Sequence, residues 1–260
     1  MSGISLPASV GHRSFDEIDS TNSEARRMGE AAVAAAMAIA PTWITAKRQT
    51  AGRGRQGRVW STGQGQNFAG TLLLDPACPP SQAAGLSFVT AVAVHDAVAQ
   101  LIDDEALSVQ LKWPNDVLIN GAKISGILLE SASSGTNISS GNIPWLAIGI
   151  GINLAEHPEG MPYPATSFAA LGRSVPSPDE MLGALAQAFD HWLGVWRDAG
   201  FAPIRDRWLA VARGLHGPIR VRLPDGDLNG TFQGLDQDGA LVLVLDDGST
   251  RQITAGDVFF

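Results

Sequence analysis

Hydrophobic and polar positions follow one pattern up to about residue 214 and a different one after it. In the first part the pattern predicts strands at residues 12–19, 43–47, 68–74, 109–113, 117–119, 124–131 and 145–152. Helical spacing of apolar residues predicts helices at residues 20–39, 81–102, 177–200 and 203–212. This order of elements predicts a mixed β-sheet with packed helices.

Short polar signals mark the ends of several of these elements. Thr21 and Glu24 have the spacing of a capping box at the start of the first helix. Ser177, followed by proline and then by Glu180, predicts the start of a later helix. Residues 133–141 are rich in serine, glycine and asparagine, which predicts a hairpin loop between two strands.

The last part of the chain consists of short β-rich runs separated by Asp-Gly pairs. These pairs lie at residues 225–226, 238–239 and 247–248, and Asp-Gly is typical of tight hairpin turns. We therefore predict two domains, residues 1–213 and residues 214–260. The fold class is α+β, with a small all-β, barrel-like C-terminal domain.

Composition narrows the classes of protein that remain. Hydrophobic residues make up 45% of the 260 positions, as in an ordinary globular protein. Cys78 is the single cysteine, which excludes a disulfide within the chain and a cysteine-rich zinc site. Neither a transmembrane run nor a secretory signal is evident, so we expect a cytoplasmic protein without a membrane segment.

Charge is distributed unevenly along this acidic chain. The net charge of −8 argues against general affinity for nucleic acid. Residues 31–74 nevertheless contain no acidic residue, and they carry Lys47, Arg48, Arg53, Arg55 and Arg58. Such a local concentration of cations favours a small anionic ligand over a nucleic-acid track.

Residues 52–57 have the pattern G-x-G-x-x-G, which is weak when taken alone. No helix is predicted to follow it, as a dinucleotide-binding fingerprint requires. A protein-kinase loop is excluded because the other kinase motifs do not follow. A flexible surface loop is the plain alternative. Its glycines would let the backbone approach a ligand closely, and arginine forks match phosphate and carboxylate oxygens.

Three further segments bring charged or polar residues to strand ends. K-W-P-N-D at residues 112–116 places a lysine and an aspartate on either side of a turn. Lys123 opens an apolar strand, where it needs an anionic partner unless its ammonium group reaches solvent. Asn153 ends another apolar strand, as an anchor or as an ordinary turn residue.

The motifs together carry a family resemblance. S-T-N at residues 20–22, G-R-G-R-Q-G-R-V-W, K-W-P-N-D, K-I-S-G-I-L-L-E and G-I-G-I-N occur in that order. In this combination the chain resembles biotin–protein ligases over residues 13–260. The resemblance implies a class II synthetase-like catalytic domain, followed by a small SH3-like barrel.

The resemblance also implies roles for individual residues. Contacts to biotin are implied for Ser20, Thr21, Asn22, Gln49, Arg53, Gly54, Arg55 and Lys123. Contacts to the nucleotide are implied for Arg58, Trp60, Lys112, Asn115 and Asn153. Lys123, Arg55 and Asp116 are the implied catalytic residues, and Asp116 would either bind a metal ion or activate the acceptor lysine.

The implied activity is the ATP- and Mg²⁺-dependent attachment of biotin to a lysine of a biotin carboxyl carrier protein. Many family members carry an N-terminal DNA-binding domain. Only a short segment precedes the first predicted strand here, so we expect no specific DNA binding. The nearest alternative is a lipoate–protein ligase or octanoyl transferase, which shares the catalytic fold. A nucleic-acid binder that uses residues 47–58 is a third possibility, which the net charge disfavours.

Overall fold

The computed structural model describes residues 4–61, 63, 65–132 and 141–260. Residues 133–140 of the predicted hairpin loop therefore lie outside the described residues. In chain order the first strands and helices are β1 (Gly11–Ile18), α1 (Thr21–Ala34), β2 (Thr42–Gln49), β3 (Phe68–Leu74), α2 (Pro80–Ala83) and α3 (Leu86–Ile102). They are followed by β4 (Val109–Lys112), β5 (Asp116–Ile119), β6 (Ala122–Ser131), β7 (Leu146–Ile152), α4 (Pro178–Ala199) and α5 (Phe201–Ala210).

Strands β1 to β7 form one mixed sheet in the order β1-β2-β3-β7-β6-β5-β4. Only β1 and β2 pair in parallel among these neighbours. Every residue of the central strands β3 and β7 is buried, because helices cover both faces of the sheet. Leu72 packs in the cluster that contains α3 and α4, whereas Leu73 packs with α1 on the opposite face.

The sequence predicted one continuous helix at residues 81–102, and this prediction is wrong. The segment is divided at Gly85 into α2 and α3, where backbone hydrogen bonds have the shorter i to i+3 spacing. By length and composition alone the stretch Pro80–Ile102 could span a membrane. In the fold, 67% of that apolar window is buried, since α3 packs against α4, α5 and the sheet.

The start and end of α1 also differ from the prediction. Ser20 is the N-cap and its hydroxyl accepts from Ser23 N, while Glu24 pairs with Arg27. The predicted capping box of Thr21 and Glu24 is therefore wrong. The helix ends at Ala34 rather than near residue 39, because Ala36 adopts a left-handed conformation (φ 52°) and the chain turns back.

The later helices agree better with the sequence pattern. Ser177 and Glu180 form the predicted capping box of α4. Helix α5 begins two residues earlier than predicted, directly after Gly200, whose φ of 74° allows the sharp turn between the two helices.

The C-terminal part forms a second, antiparallel sheet. Its strands are β8 (Pro218–Leu223), β9 (Gly226–Leu235), β10 (Leu241–Val244), β11 (Thr250–Ile253) and β12 (Asp257–Phe259), in the order β11-β10-β9-β8-β12. The glycines of the three Asp-Gly pairs all have positive φ. A mixed sheet with helices followed by an all-β domain is thus confirmed. The exact boundary at residues 213/214 stays a prediction.

The two sheets meet in a buried contact. Trp113, which follows β4, donates its indole N–H to the carbonyl of Gly239 over 3.1 Å. Trp208 of α5 packs edge to face on Phe232 of β9. Because this contact holds β12 beside the end of β4, the C-terminal sheet supplies one wall of a cavity.

Candidate active site

A cavity of about 530 Å³ lies where α1, the sheet and the C-terminal domain meet. Segments far apart in sequence form its walls: residues 20–22 and 49–60, the turn 112–116, strands β6 and β7, residues 161–163, and strands β8 and β12. Its volume suits a ligand of drug size. The cavity therefore brings together every segment that the sequence motifs singled out, apart from Asn153.

The strands β6 and β7 form the floor of this cavity, and the floor has no side chains at three of its positions, which are glycines. An added Cβ at Gly149 would overlap the Asn22 amide, and one at Gly151 would overlap the Trp60 indole. A Cβ at Gly126 would lie 3.3 Å from the same indole. The two side chains can lie flat on the sheet only because these positions have none.

The floor of the cavity is elongated, and different residues lie at its two ends. Along β7 the order is Gly149 beneath Asn22, then Gly151 beneath Trp60. Beyond them, Lys123 at the start of β6 pairs with Ala165. Successive residues of a strand advance about 3.3 Å, so Asn22 and Lys123 lie near opposite ends of an elongated floor.

Buried hydrogen bonds fix the Asn22 end. Gln49 Oε1 accepts from Thr21 N over 2.8 Å and from Thr21 Oγ1 over 3.1 Å. Thr71 Oγ1 lies 2.6 Å from Asn22 Oδ1, and Asn22 Nδ2 donates to Glu130 Oε2 over 2.7 Å. Sequence reasoning missed Thr71, which lies on β3 outside any motif. Glu130 on β6 is the last residue of the K-I-S-G-I-L-L-E motif, but the sequence predicted no role for it.

The glycine-rich loop folds over the floor as a short hairpin. Arg53 pairs with Val59, and Gly54 N donates to Arg58 O over 2.7 Å. The arginines of the loop point to three different walls. Arg53 donates to Ser23 Oγ over 3.0 Å, Arg55 to Asn115 Oδ1 over 3.1 Å, and Arg58 pairs with Asp257 of the C-terminal domain.

Lys123 lies at the far end of the floor in an aromatic environment. Its Nζ is 2.5 Å from Asp116 Oδ1, 6.0 Å from the centre of the Trp60 ring and 5.5 Å from that of Tyr163. Both charged side chains are mostly buried, with 15% and 18% exposure. Attraction between such charges is stronger here than at a surface.

Lys112 faces the cavity from the end of β4. Its Nζ lies 5.7 Å and 5.9 Å from the ring centres of Phe259 and Phe260. Burial lowers the pKa of Lys112 below its usual value; the charge of Asp116 opposes that shift and Lys123 adds to it. Among the described residues no carboxylate forms an ion pair with Lys112, so an anionic ligand would stabilise its charged form.

The cavity wall is strongly cationic. Its basic residues are Arg53, Arg55, Arg58, Lys112, Lys123, Arg220 and Arg222. Its acidic residues among those described are Asp116 and Asp257. Within the described ranges, Trp60 Nε1 is also the one buried side-chain nitrogen or oxygen without a hydrogen-bond partner. An anion with several acceptor oxygens would complement the cationic wall.

A model of the biotin/lipoate A/B protein ligase family matches residues 18–153, more than half of the chain. The chain belongs to this family. A second model, for the C-terminal domain of biotin protein ligases, matches residues 218–260. The predicted resemblance is therefore confirmed.

Individual relatives of this ligase-family chain agree with the family models. It is 42% identical to a biotin–[acetyl-CoA-carboxylase] ligase of Paracoccus denitrificans, over 93% of this chain and 97% of that protein. It is 36% identical to the enzyme of the same name from Mycobacterium tuberculosis, over 83% and 77% of the two chains. The structure of the Aquifex aeolicus biotin protein ligase with biotin and ATP matches with a TM-score of 0.76 and 25% identity, covering 96% and 97% of the two chains.

Asn153 differs from the other predicted site residues of this ligase-family chain. It is buried and its amide donates to Thr166 O over 3.0 Å, so it supports the loop that follows β7 and does not line the cavity. Conversely, the walls include residues that sequence reasoning missed: Met161, Pro162, Tyr163, Arg220, Arg222, Asp257 and Phe259. Among these missed residues, only Tyr163 could have been noticed from composition, because it is the single tyrosine of the chain.

The side chains present fit a metal ion that enters with a phosphate ligand better than a metal held by the protein alone. In the described part of the chain no group of three His, Cys, Asp or Glu residues is arranged to hold a metal. Asp116 is a single carboxylate already paired with Lys123. Mg²⁺ is commonly bound by one or two carboxylates together with substrate phosphates, which is compatible with this arrangement.

Proposed function

We propose that this chain activates biotin with ATP to form biotinyl-5′-AMP and then transfers the biotinyl group to a lysine of a biotin carboxyl carrier protein. The single observation that carries the proposal is Lys123, which lies in an elongated cationic cavity at the end opposite the polar residues around Asn22. The names of the relatives, which are biotin–[acetyl-CoA-carboxylase] ligases, point to the same reaction.

The polar end suits the ureido head of biotin. Ser20, Thr21 and Asn22 present hydroxyl and amide groups that are already oriented by Gln49 and Thr71. A site built to hydrogen-bond a polar head rejects analogues that lack it, because its buried groups would be left unpaired. Gly149 and Gly151 let Asn22 and Trp60 lie close to the sheet, so the apolar chain could pass above these two side chains and bring its carboxylate to Lys123.

In the first step the biotin carboxylate attacks the α-phosphate of ATP, and pyrophosphate leaves. Both reactants are anions, so catalysis requires cations placed before the reaction begins. Lys123, held by Asp116, would face the bridging oxygens. The indole of Trp60 lies beside Lys123 and lines the same part of the cavity. Mg²⁺ bound to the phosphates would neutralise part of their charge.

In the second step the neutral amine of the carrier lysine attacks the acyl carbonyl, and AMP leaves. Asp116 is the carboxylate closest to Lys123 on the cavity wall, which supports a role in accepting the proton of the acceptor amine. The alternative role of Asp116 is to bind the metal ion that accompanies the phosphates. Arg53, Gly54, Arg55 and Arg58 would close over the adenylate, with Lys112, Asn115 and Trp60 on its nucleotide side.

The remaining parts of the proposal concern partners and location. The partner is the carrier domain of acetyl-CoA carboxylase or a related carboxylase. We expect neither specific binding to duplex DNA nor attachment to membranes, since the cations line a cavity in a chain of net charge −8. The proposed location is the cytoplasm. Lipoate activation is the second candidate, because the matching family model covers lipoate ligases as well.

Exchange of labelled pyrophosphate into ATP tests the proposal without any carrier. We expect exchange that depends on biotin and is absent with lipoate. Mass spectrometry of a carrier domain incubated with enzyme, ATP, Mg²⁺ and biotin should then show the mass of one added biotinyl group. Exchange that responds to lipoate alone would transfer the assignment to the lipoate ligases.

A further inference from the structure

Asn67 is buried immediately before β3 and outside the cavity wall, yet it forms an unusually dense set of hydrogen bonds. Its Oδ1 accepts from three consecutive backbone groups, Leu154 N, Ala155 N and Glu156 N, over 2.9, 3.0 and 3.1 Å. Its Nδ2 donates to Glu156 O over 2.9 Å. Only 3% of the residue is exposed. One side chain therefore fixes the direction of the backbone as it leaves β7.

The segment that Asn67 holds leads to the cavity. Residues 157–165 follow it, and Met161, Pro162 and Tyr163 of this segment line the wall. The far end is anchored separately, because Lys123 N donates to Pro164 O over 2.8 Å and Thr166 N donates to Lys123 O over 2.9 Å. The segment is thus a strap with two fixed ends, and Asn67 provides the fixed end nearer to β7.

Asn67 also ends the segment that leads out of the glycine-rich loop. The chain passes from Trp60 on the cavity wall to Asn67 within seven residues, and an added Cβ at Gly63 would overlap the carboxylate of Glu156. The loop and the strap therefore meet where Asn67 binds Glu156. The loop and the strap both border the cavity, and this contact fixes their positions relative to each other.

The strap covers one end of the cavity. Tyr163 lies 5.5 Å from Lys123 Nζ, at the opposite end of the floor from Asn22. If biotin's head occupies the Asn22 end, as the proposed function requires, the strap borders the nucleotide.

We propose that Asn67 is a positioning residue for ATP: it acts through the strap 154–165 and sets the shape of the nucleotide end without touching either substrate. The inference rests on the proposed function for the identity of the ligand, but not for the placement of the strap. Without Asn67, three consecutive N–H groups lose their acceptor, among them the buried N–H of Leu154, and the strap takes up other positions. If it is correctly placed in about a tenth of the molecules, the apparent affinity for ATP falls about ten-fold.

Two substitutions at this position separate its contacts. Asn67→Ala removes all four hydrogen bonds. Asn67→Asp keeps an oxygen for the three N–H groups but places its other oxygen against the Glu156 carbonyl, so we expect an intermediate effect. Asn120→Ala is the matched control, because Asn120 Oδ1 also accepts a backbone hydrogen bond, from Ser108 N, in a turn outside the cavity wall.

The experiment measures pyrophosphate exchange at varied ATP and varied biotin, with amide hydrogen exchange read at residues 154–156. For Asn67→Ala we expect the KM for ATP to rise about ten-fold, the KM for biotin to change less than about two-fold, and the three amides to exchange faster. Asn67→Asp should fall between Asn67→Ala and the wild type in both readouts, and Asn120→Ala should match the wild type.

Two results would overturn the inference. One is an equal rise in both KM values, or the same rise in Asn120→Ala. The other is unchanged amide exchange at residues 154–156, which can be read even in a variant too unstable to assay at 37 °C. A wild-type enzyme without biotin-dependent exchange would instead refute the proposed function, and the amide readout would still test whether Asn67 holds the strap.

Discussion

Lys123 is held by contacts that leave its charge available to a ligand. The ammonium group has one carboxylate partner, Asp116, and two aromatic neighbours, Trp60 and Tyr163. Aromatic faces stabilise a cation without neutralising it. The site therefore retains positive charge where two anionic substrates would meet.

The first prediction concerns this lysine. Lys123→Ala should reduce biotin-dependent pyrophosphate exchange by about 100-fold or more, because a preorganised cation at the reacting centre is lost. Lys47→Ala is the matched control, since Lys47 is an exposed lysine paired with Asp16. A Lys123 variant with a near-normal rate would show that this ammonium group has no part in adenylation.

The second prediction concerns the loop. Arg55→Gly should release biotinyl-5′-AMP into solution, because the variant loses the hydrogen bond to Asn115 and gains backbone freedom. A charge-assisted hydrogen bond contributes about 1.5–3 kcal/mol, so loop closure should weaken about ten-fold or more. The measurement is biotin labelling of an unrelated lysine-rich protein. Arg48→Gly, which removes an exposed arginine paired with Glu17, should leave such labelling at the wild-type level.

At the residue scale the sequence predicted the members of the site that lie in local motifs. Lys123, Arg55 and Asn115 could be found because glycine, arginine and Pro-Asn-Asp patterns surround them. Thr71 lies outside any motif, and the motif that ends at Glu130 did not reveal the role of this residue. Both roles arise only when β3 and β6 are brought beside α1. Asn67 has the same origin, since its partners are 87 to 89 residues away.

At the scale of elements, a half-buried charged cluster connects helices α3, α4 and α5. Asp96 of α3 accepts from Trp192 Nε1 over 2.8 Å and from Arg207 over 2.7 Å, and lies 2.9 Å from His95 Nδ1. Burial raises the pKa of Asp96, but these three hydrogen bonds together outweigh it and hold the pKa at about 2. The cluster stabilises the helical layer behind the sheet.

The third prediction uses the pH dependence of that cluster. Asp96→Asn should lower the free energy of unfolding at pH 7 by about 1–3 kcal/mol, with little effect on either KM. Because the folded pKa of about 2 lies below the ordinary value of 3.8, the carboxylate's contribution is complete above pH 4 and is lost as the pH falls toward 2. Urea unfolding between pH 6 and pH 3 should therefore show the wild type converging on the variant. A constant difference over that range would contradict this account.

The spacing of hydrophobic residues predicted which segments are helices and which are strands, but it did not predict where those helices and strands end. The Ser177 capping box is strong enough to decide the start of α4 locally. The end of α1 is not local, because Met37, which continues the apolar pattern, is 68% exposed and finds nothing to pack against. The break between α2 and α3 lies at Gly85, beside Phe201 and Trp196 of two other helices, which are distant in sequence.

At the scale of the whole molecule, the C-terminal domain completes the cavity. Asp257 of β12 holds Arg58 of the glycine-rich loop, and Arg220 and Arg222 of β8 stack on Phe259 at 4.7 Å each. The sequence indicated an all-β domain but not its position, because the alternating pattern of β8 is the same whether its charged face meets solvent or ligand.

The fourth prediction tests this connection with a double-mutant cycle. Arg58→Ala and Asp257→Ala should each raise the KM for ATP about three- to ten-fold, and the double variant should be no worse than the more damaged single variant. The corresponding cycle on Lys47 and Asp16, an exposed pair outside the cavity, should leave the KM unchanged. Effects that simply multiply in the Arg58–Asp257 cycle would show that the two residues act independently.

The unpaired indole N–H of Trp60 has an optical consequence. Trp60 lies on the floor beside Lys123, so an anion bound there would change the charge and polarity around the indole, whose N–H has no partner that could offset the change. Its emission should therefore shift when adenylate forms. Since the chain has seven tryptophans, the comparison is with Trp60→Phe, in which that part of the signal should vanish. The protein thus carries its own fluorescent reporter, and occupancy of the cavity could be followed in stopped flow without any label.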